Sequence, residues 1–484
     1  MSKQVIKGLE PKLLWEHFYE ISQVPRPSKK EGKIRAYIKE FTKKYNLKFI
    51  EDKVGNIVIS VPASKGHEKS PKVVLQGHID MVCEKNKGTK HDFENDPIEL
   101  LREGGWITAN GTTLGADNGI GVAAAMAIAL DGKAVHGPLE LLMTIDEETG
   151  MTGVGALKKN FISGKYLLNL DSEEDGVFYV GCSGGQDTVC SFKADFVKPK
   201  RGTQPVELLV TGLKGGHSGL DIHQGRANAI KLLAQLLNRI EVPFQIANIS
   251  GGSLRNAIPR EAEAVIMIKP VDLNKVKTAV RKFTADSLLE YKTSDNGLTV
   301  KVKKLNEKFG NVFSKELTSI LVNTLLALPH GVMAMSADIP GLVETSTNLA
   351  TLKMEKSKIV IGTSQRSSIE SAKDNITNMV VAIAKLAGAK AEIGDGYPGW
   401  KPNMDSELLK LSRAVYKSLF KKEAKIKAIH AGLETGLLGS KYPGLDMISF
   451  GPTIMGAHSP DEKVNIKDVE KFYKVLKGIL KKLA

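Results

Sequence analysis

Residues 72–80 have the sequence KVVLQGHID, an apolar run that ends in a histidine and an aspartate. Three further apolar runs of this kind lie at 139–148 (LELLMTIDEE), 166–171 (YLLNLD) and 445–452 (LDMISFGP). Such runs are typical of strands that are buried on both faces of a parallel sheet. The small-residue stretch GIGVAAAMAIAL at 119–130 predicts a helix that packs closely on the sheet. Strands that alternate with helices predict an α/β domain with a mostly parallel central sheet.

The sequence on either side of these runs predicts further elements and a second domain. The segment KFIEDKVGNIVISVPA at 48–63 predicts a hairpin, and residues 31–44 have helical spacing. Beyond about residue 185 the pattern strand, helix, strand, strand, helix occurs twice, which is typical of a two-layer α+β domain. We therefore predict a discontinuous α/β domain made of residues 1–185 and 391–484. An α+β domain at 186–390 interrupts it.

Composition excludes several classes of protein. Of the 484 residues, 42% are hydrophobic and 25% are charged, which excludes disordered and collagen-like chains. Three cysteines are too few for a disulfide framework and favour a reducing compartment. No apolar run approaches the ~18 residues that span a bilayer. Residues 1–18 predict an amphipathic helix without the apolar core of a signal peptide. We expect a cytoplasmic protein with no membrane partner.

The net charge of +14, from 68 Lys and Arg against 54 Asp and Glu, has two interpretations. It is consistent with an anionic partner such as nucleic acid, or with a lysine-rich solvated surface. The lysines are spread along the whole chain as pairs and do not form one aromatic-studded stripe. We therefore predict no nucleic-acid partner. Strongly salt-dependent binding to duplex DNA would be the contrary result.

Polar side chains follow the ends of the predicted strands. They are His78 and Asp80 after the first strand, Glu147 and Glu148 after the second, and Asp171 after the third. In open α/β sheets ligands bind outside the carboxyl ends of the strands. Side chains two apart on a strand share a face, so Asp80 is a candidate to orient the imidazole of His78. Taken alone, this pair is also typical of a hydrogen-bonded surface histidine.

Two glycine-bounded segments extend this set. The segment LGADNGIG at 114–121 places Asp117 on a tight turn before the small-residue helix. A helix cap and a metal ligand are equally consistent with that position, while the absence of G-K-[ST] excludes a phosphate loop. The segment GAHSPDE at 456–462 places His458 just past another buried strand.

Together these segments supply two imidazoles and three carboxylates, from His78, Asp117, Glu148, Asp171 and His458. This donor set suits two zinc-type ions that share one bridging carboxylate, with an open position for water on each ion. Three carboxylates and a bridging hydroxide balance the formal charge of two dications. Such a pair polarises a carbonyl and generates hydroxide at neutral pH. The remaining carboxylate, Glu147, is a candidate proton shuttle.

Six motifs appear in one order between residues 77 and 462: GHIDMV, GADNGIGVA, DEETGMTG, NLDSEEDG, GGHSG and HSPDE. This order resembles that of the co-catalytic di-zinc peptidases, a family that includes carboxypeptidase G, peptidase T, the carnosinases and the acylornithine deacetylases. The length, the large insert and the runs VFYVGCSGGQD and GGHSGLDIHQGRANA are similar to the bacterial aminoacyl-histidine dipeptidases, also described as Xaa-His or cytosolic non-specific dipeptidases. The resemblance implies a zinc-peptidase catalytic domain and an inserted lid and dimerisation domain, hence a homodimer.

The resemblance also implies roles for the metal-ligand candidates. Asp117 is implied as the ligand that bridges the two metals. His78 and Asp171 are implied to complete one metal site. Glu148 and His458 are implied to complete the other.

Further roles are implied for residues around the metals. Glu147 is implied as the general base, which takes a proton from the bridging water and delivers it to the leaving amine. Asp80 is implied as the group that orients His78. In the insert, His217 of GGHSG is implied to stabilise the oxyanion.

The resemblance also implies how the two ends of a substrate are held. Asn256 and Arg366 match positions that hold the terminal carboxylate, and arginine binds carboxylates bidentately. The residues alone also allow a structural turn at His217 and a surface ion pair at Arg366. Glu434, in HAGLETG, is a further candidate to hold the free ammonium.

We therefore predict an enzyme that hydrolyses unblocked dipeptides, including Xaa-His dipeptides such as β-alanyl-histidine. The predicted cofactors are two divalent ions per subunit, Zn²⁺ in preference to Co²⁺ or Mn²⁺. Two enzymatic alternatives use the same site: an N-acyl amino acid deacylase and an aminotripeptidase. A non-catalytic binding protein is an alternative of another class, which the presence of all five ligands and the base disfavours.

Overall fold

A computed structural model, which describes residues 3–355 and 357–484, has the four predicted buried strands side by side in one sheet. In spatial order they are Leu139–Thr144, Val73–His78, Tyr166–Asn169 and Asp446–Ser449, and all three pairings between them are parallel. Nearly all of their residues are buried, as the apolar runs predict. The carboxyl ends of these strands therefore lie along one edge of the sheet.

The chain divides into two compact units. One is formed by the chain up to residue 181 with residues 402–428 and 433–484, and the other by residues 182–401 with 429–432. The role of the second unit as a lid and dimerisation domain stays a prediction.

Up to residue 182 the helices and strands are α1 (Lys12–Ser22), α2 (Gly32–Lys44), β1 (Lys48–Glu51), β2 (Ile57–Val61), β3 (Val73–His78), β4 (Leu100–Glu103), β5 (Trp106–Ala109), α3 (Ala116–Leu130), β6 (Leu139–Thr144), α4 (Glu147–Gly150), α5 (Thr152–Ala156), β7 (Tyr166–Asn169) and β8 (Val177–Cys182). The elements that follow are β9 (Gly184–Lys193), β10 (Phe196–Val197), β11 (Gln204–Thr211), β12 (Gly216–His217), α6 (Ala229–Arg239), β13 (Gln245–Gly251), β14 (Ala257–Ile258), β15 (Ala262–Ile268), α7 (Leu273–Glu290), β16 (Thr299–Lys304), β17 (Val312–Phe313), α8 (Lys315–Ala327), β18 (Gly331–Met335), β19 (Val343–Glu355), β20 (Lys358–Ser367), α9 (Glu370–Leu386) and β21 (Lys390–Tyr397). The last elements are α10 (Glu407–Phe420), β22 (Lys425–Ile429), α11 (Glu434–Lys441), β23 (Asp446–Ser449), β24 (Ile454–Met455), β25 (Lys463–Asn465) and α12 (Ile466–Leu483).

The sheet of the first unit has eight strands in the order β1-β2-β6-β3-β7-β23-β8-β22. Its parallel centre continues into antiparallel pairs, β1 with β2 and β2 with β6 on one side and β23 with β8 on the other. The predicted hairpin at 48–63 is the pair β1 and β2. This mixed sheet with a parallel centre confirms the predicted α/β class.

The helix predicted over residues 1–18 is wrong in extent. Met1 and Ser2 lie outside the described residues, Lys3–Ile6 form one 3₁₀ turn, and α1 begins only at Lys12. Gly8 has a positive φ of 74°, and Pro11 occupies the N-cap with an extended backbone. A proline disfavours helical torsions in the residue before it, so the helix starts after Pro11.

The second unit is built on an antiparallel sheet in the order β16-β11-β15-β13-β19-β20-β9-β21, with β18 paired to β19. Side chains of the sheet and of its helices share one apolar core, which includes Leu233, Ile266 and Val380. Asn228 caps α6, because its side chain accepts hydrogen bonds from the amides of Ile230 and Lys231. An antiparallel sheet with packed helices confirms the predicted α+β insert. Among the described residues, no helix is both long enough and apolar enough to cross a membrane.

Candidate metal centre and substrate-binding residues

Asp117 lies between two histidines at the edge where the parallel strands end. Its Oδ1 is 3.1 Å from Nε2 of His78, and its Oδ2 is 3.3 Å from Nε2 of His458. Asp117 and Asn118 have non-helical torsions at the start of α3, so the carboxylate stands on the turn that precedes the regular helix. The two oxygens of one carboxylate therefore face two different imidazoles.

Each imidazole has a second carboxylate beside it. Oδ1 of Asp171 is 3.4 Å from Nε2 of His78, and Oε2 of Glu148 is 3.0 Å from Nε2 of His458. The result is two groups that share Asp117, and within each group the possible ligand atoms lie within 4.8 Å of one another. The structure thus brings together all five residues predicted as metal ligands.

Asp80 contacts both the first imidazole and the start of α4. Its Oδ1 is 3.3 Å from Nδ1 of His78. Its two oxygens also accept hydrogen bonds from the amides of Glu147 (3.1 Å) and Glu148 (3.3 Å). Burial would raise the pKa of Asp80, but hydrogen bonding to His78 and the charge of that imidazole lower it to about 2. An ionised Asp80 therefore directs Nε2 of His78 towards Asp117 and fixes the backbone of both glutamates.

The acidic groups at this edge are crowded. Burial and the charges of neighbouring carboxylates together raise the pKa of Glu147 to about 8, against the opposing effect of the His78 charge. Burial likewise raises the pKa of Asp171 well above its usual range. Hydrogen bonds to Asp117 and Glu148 raise the pKa of His458 to about 11. The cluster thus favours bound positive charge, as protons or as cations.

Glu434 is fully buried at the start of α11 in the same unit. Its Oε2 accepts hydrogen bonds from Nε2 of Gln76 (2.5 Å) and Oγ1 of Thr144 (2.7 Å). Its Oε1 makes no hydrogen bond with any described residue. Burial raises the pKa of Glu434 to about 8. The side chain is held by strands β3 and β6, with one oxygen left for a further donor.

His217 belongs to the second unit, where β12 pairs with β14. Its Nδ1 accepts hydrogen bonds from the amides of Gly219 (3.2 Å) and Leu220 (3.0 Å), so the ring proton is on Nε2. Burial and the positive charge of Arg366 lower the pKa of His217. The side chain is therefore a neutral imidazole that presents an Nε2–H donor.

Arg366 is buried on β20 of this unit, with 7% of its surface exposed. One terminal nitrogen donates to the hydroxyl of Tyr397 (2.9 Å), while Nε makes no hydrogen bond with a described residue. His430 lies in the same environment, 2.7 Å from Oγ of Ser346. Burial and the charge of Arg366 lower the pKa of His430 to about 3. A buried cation beside neutral imidazoles can accept an anion such as a carboxylate.

Asn256 is exposed next to the segment that carries His217. Its backbone carbonyl accepts a hydrogen bond from the amide of Ser218 (2.8 Å). The structure therefore places Asn256, His217 and Arg366 in one unit, but no side-chain contact connects Asn256 to the other two among the contacts described.

The chain matches the sequence model of a known protein family. This family model, described as Peptidase family M20/M25/M40, matches residues 74–482 of the chain. The chain belongs to this family. Membership in the M20 family confirms the resemblance predicted from the six motifs, and with it the prediction of a peptidase.

Individual members resemble the chain along its whole length. It is 41% identical over 480 residues to the cytosol non-specific dipeptidase of Escherichia coli (strain K12), with 99% of both chains covered. It is 40% identical to the crystal structure of aminoacylhistidine dipeptidase from Vibrio alginolyticus, with a TM-score of 0.91 over 99% of this chain and 98% of that one. A tripeptidase structure from Staphylococcus aureus, 16% identical with a TM-score of 0.55, covers 98% of this chain and 99% of its own and shares the fold.

Two buried residues of this M20 chain contact the loops that carry the candidate metal ligands, and they were not predicted from the sequence. Arg26 is buried beside the ends of two of these loops, and Glu462 is buried under the loop that carries Asp117. Glu462 lies within the motif HSPDE, four residues after His458, so the motif itself was the available signal. Arg26 contacts mainly backbone carbonyls, and no local motif marks such contacts.

Proposed function

We propose that this M20 peptidase hydrolyses the peptide bond of unblocked dipeptides, with Xaa-His dipeptides among its substrates. The observation that carries the proposal is the position of Asp117, which offers one oxygen to each of two groups made of a histidine and a carboxylate. The names of the two full-length relatives, a non-specific dipeptidase and an aminoacylhistidine dipeptidase, support the choice of dipeptides over N-acyl amino acids or tripeptides.

The residues present fit a pair of divalent cations. Each group offers one imidazole nitrogen and carboxylate oxygens, a donor set that suits Zn²⁺, with Co²⁺ or Mn²⁺ as alternatives. Oε1 of Glu148 is buried and makes no hydrogen bond with a described residue, so it has an unused acceptor position. We propose that His78, Asp117 and Asp171 hold one ion and Asp117, Glu148 and His458 the other. When bound, the ions would polarise the scissile carbonyl and make a water molecule acidic at neutral pH.

The chain's own groups then move the proton and hold the substrate. Glu147, whose amide Asp80 fixes, takes a proton from the attacking water and delivers it to the leaving amine. The Nε2–H of His217 donates to the carbonyl oxygen as negative charge develops there. Asn256 and Arg366 bind the terminal carboxylate, and Glu434 receives the free ammonium at Oε1.

The test measures amine release from β-alanyl-histidine and from a panel of free and N-acetylated dipeptides. Metal-stripped protein is assayed before and after the addition of Zn²⁺, Co²⁺ or Mn²⁺. We expect metal-restored cleavage that is confined to free dipeptides. Cleavage of the N-acetylated compounds would favour the deacylase, preference for tripeptides would favour the aminotripeptidase, and no cleavage under any metal would overturn the enzymatic proposal.

A His217→Ala variant tests the oxyanion role. Loss of one such donor lowers kcat by ~10²–10³-fold, and we expect that decrease here with the metal content unchanged. The matched control is His223→Ala, an exposed histidine six residues further on, which should retain wild-type kcat. Both variants are assayed for kcat on β-alanyl-histidine and for bound metal. Loss of metal in His217→Ala would instead show a structural role.

We also propose that the peptidase is a cytoplasmic homodimer formed through its second unit, as the family resemblance implies. Sedimentation equilibrium of the full chain at micromolar concentration should give twice the 52.5 kDa mass of one chain. A monomer of full specific activity would contradict the proposed dimer.

A further inference from the structure

A buried carboxylate that the proposed mechanism does not use lies under the loop that carries Asp117. Glu462 is 2% exposed. Its Oε2 accepts hydrogen bonds from the amides of Leu114 (2.7 Å) and Gly115 (2.9 Å). Its Oε1 accepts from the amides of Ala116 (2.7 Å) and Asp117 (3.3 Å). Four consecutive backbone N–H groups thus converge on the two oxygens of one carboxylate.

Arg26 holds the same loop from another side. Its guanidinium donates to the carbonyl of Gly115 and also to the carbonyls of Ile79 (3.2 Å) and Asp80 (2.7 Å). One buried cation therefore connects the segment just after His78 to the turn just before Asp117. Glu462 and Asp80 supply negative charge close to this buried cation, which makes its burial tolerable.

Gly115 is held at both of its backbone polar groups, the N–H by Glu462 and the carbonyl by Arg26. It has a φ of +68°, a region that favours glycine. A Cβ at this position would lie 2.5 Å from a terminal nitrogen of Arg26 and 2.9 Å from Sδ of Met81. The turn therefore has no room for a side chain at position 115, two residues before Asp117.

We infer that Glu462 is a positioning residue for the carboxylate that faces both imidazoles. It fixes the amides of residues 114–117, so that Oδ1 of Asp117 points to His78 and Oδ2 to His458. Glu462 follows His458 by four residues. One short segment therefore carries a predicted metal ligand, His458, and the residue that positions Asp117. The inference rests on the proposed function, because the consequence of this positioning is the affinity and geometry of two bound ions.

The chemistry of the four amides makes Glu462→Gln the informative change. Glutamine has nearly the same volume, but its amide group has one acceptor oxygen, and its NH₂ would face two N–H donors. The variant therefore replaces two accepted hydrogen bonds by donor–donor contacts and leaves the five predicted ligands unaltered. The matched control is Asp461→Asn, the same kind of change one residue earlier at an exposed side chain.

The experiment measures metal affinity and the visible spectrum of the Co²⁺-loaded full chain, besides kcat. Supporting groups around metal ligands change affinity by ~10–100-fold, and we expect a decrease of that size for both ions in Glu462→Gln. At saturating Co²⁺ the d–d absorption bands should still differ from wild type, a change that lower fold stability alone would not produce. Asp461→Asn should match wild type in affinity and spectrum.

The outcomes separate the inference from the proposed function. If Glu462→Gln has the metal affinity and the Co²⁺ spectrum of the wild type, the inference is overturned. The proposed function would still be supported in that case, provided that the wild-type chain binds two ions. A wild-type chain that binds no metal would overturn both. Should Glu462→Gln fail to fold, Glu462→Asp takes its place, because it keeps the charge but withdraws the carboxylate by one carbon. It should also lose affinity for both ions, and unchanged affinity would overturn the inference.

Discussion

Glu147→Gln should bind both metal ions and lose ~10²–10⁴-fold in kcat, the contribution of a well-placed general acid–base group. The reason is geometric. Asp80 holds the amides of Glu147 and Glu148, so the backbone at the start of α4 is fixed for two adjacent carboxylates. Glu148 lies 3.0 Å from Nε2 of His458, in a group that shares Asp117. Glu147 lies outside both groups that share Asp117, although one of its oxygens is within 4.8 Å of possible ligand atoms of His78 and Glu148. Glutamine in place of Glu147 leaves those ligands in position but cannot accept and return a proton.

The measurement combines kcat on β-alanyl-histidine with metal content by mass spectrometry. Glu84→Gln, the same change at an exposed glutamate of the same unit, is the control and should behave as wild type. Activity within tenfold of wild type would exclude Glu147 as the proton shuttle. Loss of an ion, with activity lost in proportion, would assign Glu147 to the metal ligands instead.

The part of the fold that the sequence predicts best is the parallel centre of the first unit. Strands 73–78 and 166–169 are buried over their whole length. Their mostly apolar sequences predict this burial. His78 and Asp171 lie at the ends of those runs. The pattern of the runs therefore predicts that both residues lie at the same edge of the sheet. For these residues, local sequence and position in the fold are closely connected.

Local sequence patterns do not predict which distant segments of the chain meet in the fold. His458 and Asp117 are 341 residues apart, and their 3.3 Å separation depends on how the last segment of the chain returns to the first unit. Periodicity predicts that each residue follows an element but not that the two meet. The family resemblance, which compares the order of several motifs at once, supplied that information.

The sheet of the second unit shows another kind of structure that the sequence predicts poorly. Strand β9 at 184–193 alternates buried and partly exposed residues and lies between β20 and β21, yet the predicted domain boundary falls inside it. Its small and polar residues, such as Gly184 and Thr188, give little apolar signal. Their burial comes from neighbouring strands that are more than 160 residues away in sequence. Tertiary pairing thus overrides the intrinsic strand preference here.

The largest effect on metal binding should come from Asp117→Asn. A carboxylate can offer one oxygen to each of two ions, whereas an amide has only one oxygen ligand and cannot serve both groups. Both oxygens of Asp117 face an imidazole, at 3.1 Å and 3.3 Å, so the change removes a ligand shared by both groups. We expect metal content, measured in a buffer of fixed free Zn²⁺, to fall from two ions to fewer than one ion per chain, because both ions lose the ligand that they share. Turnover should be lost, because the proposed chemistry needs both ions.

Asp171→Asn provides the matched comparison, because it makes the same substitution at a carboxylate that lies beside His78 and belongs to one of the two groups that share Asp117. It should release one ion and leave the group of Asp117, Glu148 and His458 able to bind the other. The Tm should show the same ranking, since a ligand that binds only the folded chain stabilises it by mass action. The rise in Tm on adding Zn²⁺ should be largest in wild type, smaller in Asp171→Asn and smallest in Asp117→Asn. Equal metal content in the two variants would exclude Asp117 as the shared ligand, because a bridging carboxylate must affect both ions and a terminal one only its own.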